Sequence, residues 1–246
     1  VILRKSLCLL GIFTGILSSP WTTVSAAPLQ QPVQEPMSLQ FPQTSDRGAP
    51  ARTTGGGSRG SSCVAEGETP LVALMPTRNN VGTTVTAHPT LFWYIPQSRA
   101  QLAEFVLINS LGEEVYLATV TLAGTPGILK LDLPETVALE IGQDYLWQFA
   151  IICDSQDRES DVFVRGLLQR RELSRNLQNQ LKSATGLEQA QIYANAEIWH
   201  DSLAMIAELR SSEPVEWEEL LNSIGLLDIA TSPFLEVPVG EKLSDL

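Results

Sequence analysis

Leu139-Glu140-Ile141-Gly142-Gln143-Asp144-Tyr145-Leu146-Trp147-Gln148-Phe149-Ala150-Ile151-Ile152 is the stretch on which the fold turns. Tyr145, Trp147, Phe149 and Ile151 recur at every second position, the period of a strand that buries one face. Gly142 marks a turn just before it, and the tyrosine stands immediately inside the strand after that turn.

Outward from this strand, the chain from about Pro70 to Gln169 consists of short apolar segments separated by turn residues, the spacing of an all-β domain. The expected strands are 71–75, 83–86, 90–95, 104–109, 114–122, 128–133, 144–152 and 161–168. Leu111-Gly112-Glu113, Gly124-Thr125-Pro126-Gly127 and Pro134-Glu135 signal turns. Phe105, Leu107 and the residues opposite them suggest a strand buried on both sides. A tyrosine just inside a strand after a glycine turn resembles the tyrosine corner of immunoglobulin-like and fibronectin type III sandwiches, with Trp93 as the large core residue beneath it. Core packing is the expected role of Trp93, Trp147 and Phe149. The faces of Tyr94 and Tyr116 stay open without a register.

After Arg170 the apolar period lengthens to between three and four. Residues 172–184 read as one helix and 187–210 as a longer one, with Ile192, Ala196, Trp199, Leu203 and Ile206 along one stripe. Ser212 is placed to cap a third, with Pro214 in its first turn and Trp217, Leu220, Leu221 and Ile224 buried, ending at Gly225. The expected fold class is therefore α+β, an immunoglobulin/fibronectin III-like antiparallel β-sandwich followed by a small C-terminal helical subdomain. The expected domains are a signal peptide at 1–26, a disordered Pro/Gly/Ser/Thr-rich leader at 27–62, the sandwich at 63–169, the helical subdomain at 170–230 and a tail at 231–246.

The signal peptide is read from Arg4 and Lys5, the apolar run Leu7 to Leu17, and Val24-Ser25-Ala26 before Ala27. The apolar run falls well short of the ~20 residues that span a bilayer, so no span is expected after cleavage. Loss of Arg4 and Lys5 leaves 14 basic residues against 28 acidic ones, a net charge of −14. Such a surface repels nucleic acid and anionic lipid. Two cysteines survive processing, and in an exported chain Cys63 and Cys153 are expected to form one disulfide. Closing a loop of that length would stabilise the fold by ~4–5 kcal/mol.

No motif with a catalytic reputation keeps its structural context. Gly55-Gly56-Gly57-Ser58-Arg59-Gly60 fits both the dinucleotide and the nucleophile-elbow patterns, yet no strand precedes it and no helical stripe follows. Glu197, His200 and Asp201 form half of a di-iron carboxylate pattern, or an acid and base pair, but read more simply as a solvated polar edge beside the Trp199 stripe. Asp154, Asp157, Glu159 and Asp161 form the densest carboxylate cluster; Val162 and Leu168 occupy the positions where an EF-hand requires glycine and glutamate, so an ordinary turn is expected there. No catalytic residue, cofactor or metal ligand is assigned.

Several motifs carry a resemblance. The glycine segment before Cys63, His88-Pro89-Thr90 leading into Tyr94-Ile95-Pro96, Ala103-Glu104-Phe105-Val106-Leu107, Gly124-Thr125-Pro126-Gly127-Ile128, and Cys153-Asp154 followed by acidic residues, Val164 and Gly166 resemble the exported cyanobacterial proteins of domain-of-unknown-function family 928. The resemblance covers residues 48–170 and extends more loosely to 237. It implies export and a cyanobacterial origin, and no activity. The expected function is thus that of an exported, non-catalytic protein, periplasmic or secreted, that binds another envelope or extracellular protein. Alternatives are a carbohydrate-binding module using Tyr94, Tyr116 or Trp217, and a hydrolase using Glu197, His200 and Asp201.

Overall fold

A computed structural model describes residues 38–42, 63–65, 67, 69–76, 81–236 and 239–240. All of them belong to one compact unit, residues 37–246. The expected signal peptide, the glycine segment around Ser58 and most of the leader lie outside the described residues.

The first sheet contains β1 (Val72–Ala73), β3 (Thr90–Ile95), β6 (Gly127–Asp132) and β9 (Phe234–Leu235), in that order. The second contains β2 (Val81–Thr84), β4 (Leu102–Ile108), β5 (Glu114–Thr121), β7 (Asp144–Ile152), β8 (Val162–Arg170) and β10 (Val239–Gly240), in the order β10-β5-β4-β7-β8-β2. The sheets are not purely antiparallel: β2 runs parallel to β8, and β9 runs parallel to β6. The residues expected to form only a tail thus contribute β9 to the edge of one sheet and β10 to the edge of the other.

The alternation read in β7 has the expected consequence, since Tyr145, Trp147, Phe149 and Ile151 are all buried. The sheets pack face to face through aromatic rings. Trp93 on β3 stacks on Phe149 at 4.6 Å between ring centroids and meets Trp147 edge-on at 5.8 Å. On β4, Ala103, Phe105 and Leu107 are buried whereas Glu104, Val106 and Ile108 are half-exposed, so this strand buries one face rather than two. The Tyr145 hydroxyl accepts a hydrogen bond of 2.9 Å from the Glu140 N–H, which closes the corner that precedes β7.

The helices are α1 (Arg175–Ser183), α2 (Leu187–Asn195), α3 (Trp199–Leu209), α4 (Pro214–Ser223) and α5 (Leu227–Ala230). The single helix expected over 187–210 is broken between α2 and α3, where Glu197 adopts φ 57°. α4 follows Glu213 rather than a capping Ser212, whose hydroxyl instead donates to the Leu209 carbonyl. Apolar residues of α2 to α5 join those of both sheets in one continuous core. Trp199 donates its indole N–H to the Leu74 carbonyl at 2.8 Å, and Trp217 donates to the Ala230 carbonyl at 2.8 Å.

A short part of the expected leader is also docked. Ser38–Pro42 runs along α4 with Leu39 and Phe41 buried. The Leu39 N–H donates to the Glu219 carboxylate at 2.9 Å, and the Phe41 N–H donates to the Ser223 hydroxyl at 3.0 Å. The Phe41 ring meets Trp199 edge-on at 5.0 Å. Disorder is therefore the wrong expectation for these five residues, because two large apolar side chains find a prepared surface. Their burial contributes about 3–6 kcal/mol and the hydrogen bonds about 1–4 kcal/mol. Ordering the segment costs about 5–10 kcal/mol, so its attachment is close to balance.

Candidate functional site

The residues that the sequence offers for catalysis come together at the junction of α3 with β2. Thr83 donates its hydroxyl to the Glu197 carbonyl and accepts the Trp199 N–H at 3.3 Å, which holds the break between α2 and α3 against the sheet. One turn of chain later, Asp201 accepts the Thr84 hydroxyl at 2.7 Å and the Val85 N–H at 3.2 Å through the same oxygen. His200 lies with 2% of its surface exposed, its ring against the backbone of Gly82.

This arrangement corrects the expectation of a solvated polar edge. α3 is wedged against the strands on one side and against α2 on the other, where Ser202 donates to the Ala190 carbonyl at 2.9 Å, so His200 and Ser202 are buried with its apolar residues and Asp201 is half-buried. Burial drives His200 down to about 4, with the Thr90 backbone offsetting a part, although neither ring nitrogen makes a hydrogen bond of good geometry. The imidazole is neutral at pH 7. Burial pushes Asp201 above the usual carboxylate range, opposed by its bonds from Thr84 and Val85. Asp201 is thus spent on β2 and the segment after it rather than on orienting His200, as an acid and base couple would require. Glu197 precedes α3 instead of sharing a helical face with His200, so the di-iron spacing has no helix to carry it.

A shallow groove of about 280 Å³ lies beside this junction, bordered by His88, Tyr193, His200, Asp201, Met205 and Glu208. Both histidines of the chain therefore face one place. Among the described residues, no group of three or more His, Cys, Asp or Glu side chains is arranged to hold a metal ion.

The acidic loop after β7 is organised around the Cys63–Cys153 disulfide, whose Cα atoms are 5.2 Å apart. Asp161 is buried, accepts the Cys153 N–H at 3.1 Å, and pairs with Arg158 at 2.6 Å. Arg158 also reaches Glu104 at 3.1 Å. The carboxylate with the strongest claim to a cation thus already has an arginine as its partner.

The aromatics considered for sugar stacking do not form a platform. Tyr94 and Trp217 are buried, and Tyr116 is half-buried with its ring 6.1 Å from Phe105. The Trp217 ring is covered by the Arg210 guanidinium at 5.1 Å and by Phe234 at 5.7 Å.

At one end of the sandwich, the β4–β5 hairpin and the segment before β7 border a trough of about 480 Å³. Its lining mixes polar residues, among them Asn109, Ser110, Thr136, Glu140 and Gln143, with exposed aliphatic ones: Leu111 is 80% exposed and Val115 36%, and Ile141, beside the lining residue Glu140, is 54% exposed. Both flanking turns are held by hydrogen bonds. In the hairpin, the Asn109 side-chain carbonyl accepts the N–H groups of Leu111 and Glu113, each at 3.0 Å, and its amide donates to the Glu113 carboxylate at 2.9 Å. Across the trough, the Tyr145–Glu140 bond is joined by Gly142 N–H to the Arg170 carbonyl at 2.7 Å and by Arg170 to the Leu139 carbonyl at 2.5 Å. Gly112 at φ 82° and Gly142 at φ 79° allow the two turns that carry Leu111 and Ile141 outward.

The family described as Domain of Unknown Function (DUF928) matches residues 54–234, well over half of the chain. The chain belongs to that family. The match runs from before Cys63 to the first residue of β9, so it takes in β1 to β8, all five helices, the trough and the α3–β2 junction, and leaves out β10. Ser38–Pro42 lies outside it. No curated protein and no solved structure matches the DUF928 chain significantly. Among its described residues, no helix is long and apolar enough to cross a membrane.

The rim residues escape a reading of motifs, although one signal was present. Leu111 and Ile141 are aliphatic residues inside glycine turns, where polar residues are the rule.

Proposed function

We propose that the DUF928 chain is an exported, non-catalytic interaction module of the cyanobacterial cell envelope, periplasmic or secreted, built on an immunoglobulin/fibronectin III-like sandwich. Its trough receives an apolar segment of another envelope or extracellular protein. The observation that carries this reading is the pair of hydrogen-bonded turns that hold Leu111 and Ile141 in solvent at a preformed cavity, Leu111 in its lining and Ile141 next to the lining residue Glu140. Exposed aliphatic side chains beside a preformed cavity offer apolar area to a partner, and turns already held by hydrogen bonds lose little conformational freedom on binding.

The engagement of Glu197, His200 and Asp201 in holding α3 to β2 supports a binding role over a hydrolytic one. Aliphatic rather than aromatic exposure supports a protein partner over a sugar. The tyrosine corner at Tyr145 and the face-to-face packing around Trp93 support the immunoglobulin-like assignment. The N-terminal charge and apolar pattern, with the Cys63–Cys153 bridge, supports an oxidising compartment outside the cytoplasm.

The test is a crosslinked pull-down from envelope and culture-medium fractions, with the wild-type chain beside Leu111→Asp/Ile141→Asp. A partner captured by the wild type and lost by the folded variant is the expected result. Identical captures by both proteins, or no capture by the wild type, would count against the trough.

A further inference from the structure

We infer that the surface formed by Trp199 of α3 and by Glu219 and Ser223 of α4 is a docking groove for an extended peptide of a partner protein, with Leu39-Gln40-Phe41 as its resident occupant in cis. The peptide class follows from how the resident segment is held. Leu39 and Phe41 are buried while Gln40 between them is exposed, so recognition reads every second side chain of an extended chain. The Glu219 carboxylate and the Ser223 hydroxyl take the main-chain N–H groups of those same two residues. Backbone hydrogen bonds do not depend on sequence, which leaves the two apolar side chains, the second of them aromatic against Trp199 at 5.0 Å, to set specificity. The acidic Glu219 and the chain's net charge of −12 favour a neutral or basic segment.

Two observations make the resident segment exchangeable. Its attachment is near balance, because the burial of two side chains is offset by the ordering of five residues. It also lies outside the family's matched region, residues 54–234, whereas Trp199, Glu219 and Ser223 lie inside it. The groove lies within the matched region and its occupant lies outside it. Cis occupancy then acts as competition, lowering the apparent affinity for a foreign segment by the fraction of time the groove is filled. This inference uses none of the residues of the Leu111–Ile141 trough and stands or falls separately from it.

The probe is a synthetic, fluorescently labelled peptide of residues 36–43, Pro-Met-Ser-Leu-Gln-Phe-Pro-Gln, titrated by anisotropy into the full chain and into full-length Leu39→Asp/Phe41→Asp. The vacated variant is expected to bind about twofold more tightly than the wild type, as a groove half filled in cis requires, and addition of Glu219→Lys is expected to weaken that binding at least tenfold. A folded variant that binds no better than the wild type, or no better than a peptide with both apolar residues changed to aspartate, overturns the inference. Should the variant fail to fold, a dye on Gln40→Cys in a Cys8→Ser full chain reports directly: excess peptide must raise its mobility. An unchanged signal at saturating peptide overturns it. A wild-type dimer that the peptide dissociates would assign the groove to the leader of a second copy and overturn the foreign-partner assignment.

Discussion

Replacing Gly82 by alanine should destabilise the protein by about 3 kcal/mol, the upper part of the range for overpacking a filled site. A methyl group built on Gly82 falls 2.6 Å from His200 Cδ2 and 3.0 Å from Cε1, and closer still to Nε2. Carbon contacts settle at about 3.5–4.0 Å, so the ring must retreat by about 1 Å. It cannot do so alone. Its neighbour Trp199 is fixed by a 2.8 Å bond to Leu74 and by Thr83, and Asp201 is fixed by Thr84 and Val85. The displacement therefore reaches the start of α3 and its contact with β2. Thermal and urea unfolding at pH 7 measure the effect, with an expected fall in Tm of about 6–12 °C. A double-mutant cycle supplies the sharper test. With His200→Ala in the background the steric conflict is gone, and alanine in a strand is favoured over glycine by about 0.5–1 kcal/mol, so the same substitution should become neutral or slightly stabilising. A cost that persists at about 3 kcal/mol in the His200→Ala background would refute the packing argument.

Three further outcomes follow from the same contacts. His200 is held at about 4 against an ordinary 6.5, so its contribution is complete above pH 6.5 and is lost as the pH falls toward 4, by about 3 kcal/mol; Asp201, shifted upward, acts in the opposite sense, so the comparison is with His200→Asn, and parallel stability curves for the two proteins would contradict the assignment. Replacing both Cys63 and Cys153 by alanine should lower Tm by about 8–20 °C, from ~4–5 kcal/mol of loop closure, and calorimetry with and without reductant should show the wild type shifting by the same amount. Tyr145→Phe removes the acceptor of the Glu140 N–H and should cost about 1 kcal/mol, read as a lower urea midpoint at unchanged slope.

Period-two alternation was enough to place β7 at its observed bounds, because it buries one complete face against the opposite sheet, whereas β3 was legible as a continuous apolar run and is buried from Leu91 to Ile95 on both faces. The stripe of Trp199, Leu203 and Ile206 was equally legible, since all three are buried. The break between α2 and α3 was not: no proline or glycine marks it, and the positive φ of Glu197 is held by Thr83, more than a hundred residues away. The same distance hid the burial of His200 and the engagement of Asp201 by Thr84 and Val85, both of which look like surface residues until β2 packs against α3. Leu39 and Phe41 are too isolated to form a pattern, and β9 and β10 are two residues long, so their pairing is decided by the sheets they join. The trough escaped because its rim comes from two turns, Leu111 and Ile141, that are separate in sequence.

The most direct test of the interaction role is site-specific photocrosslinking in the producing cell, with the photoreactive side chain placed in turn at Leu111, at Ile141 and at the exposed control Lys182 on α1. The account predicts one shared adduct at positions 111 and 141 and none of that mass at 182. Equal labelling at all three positions, or no adduct at 111 and 141, would contradict it.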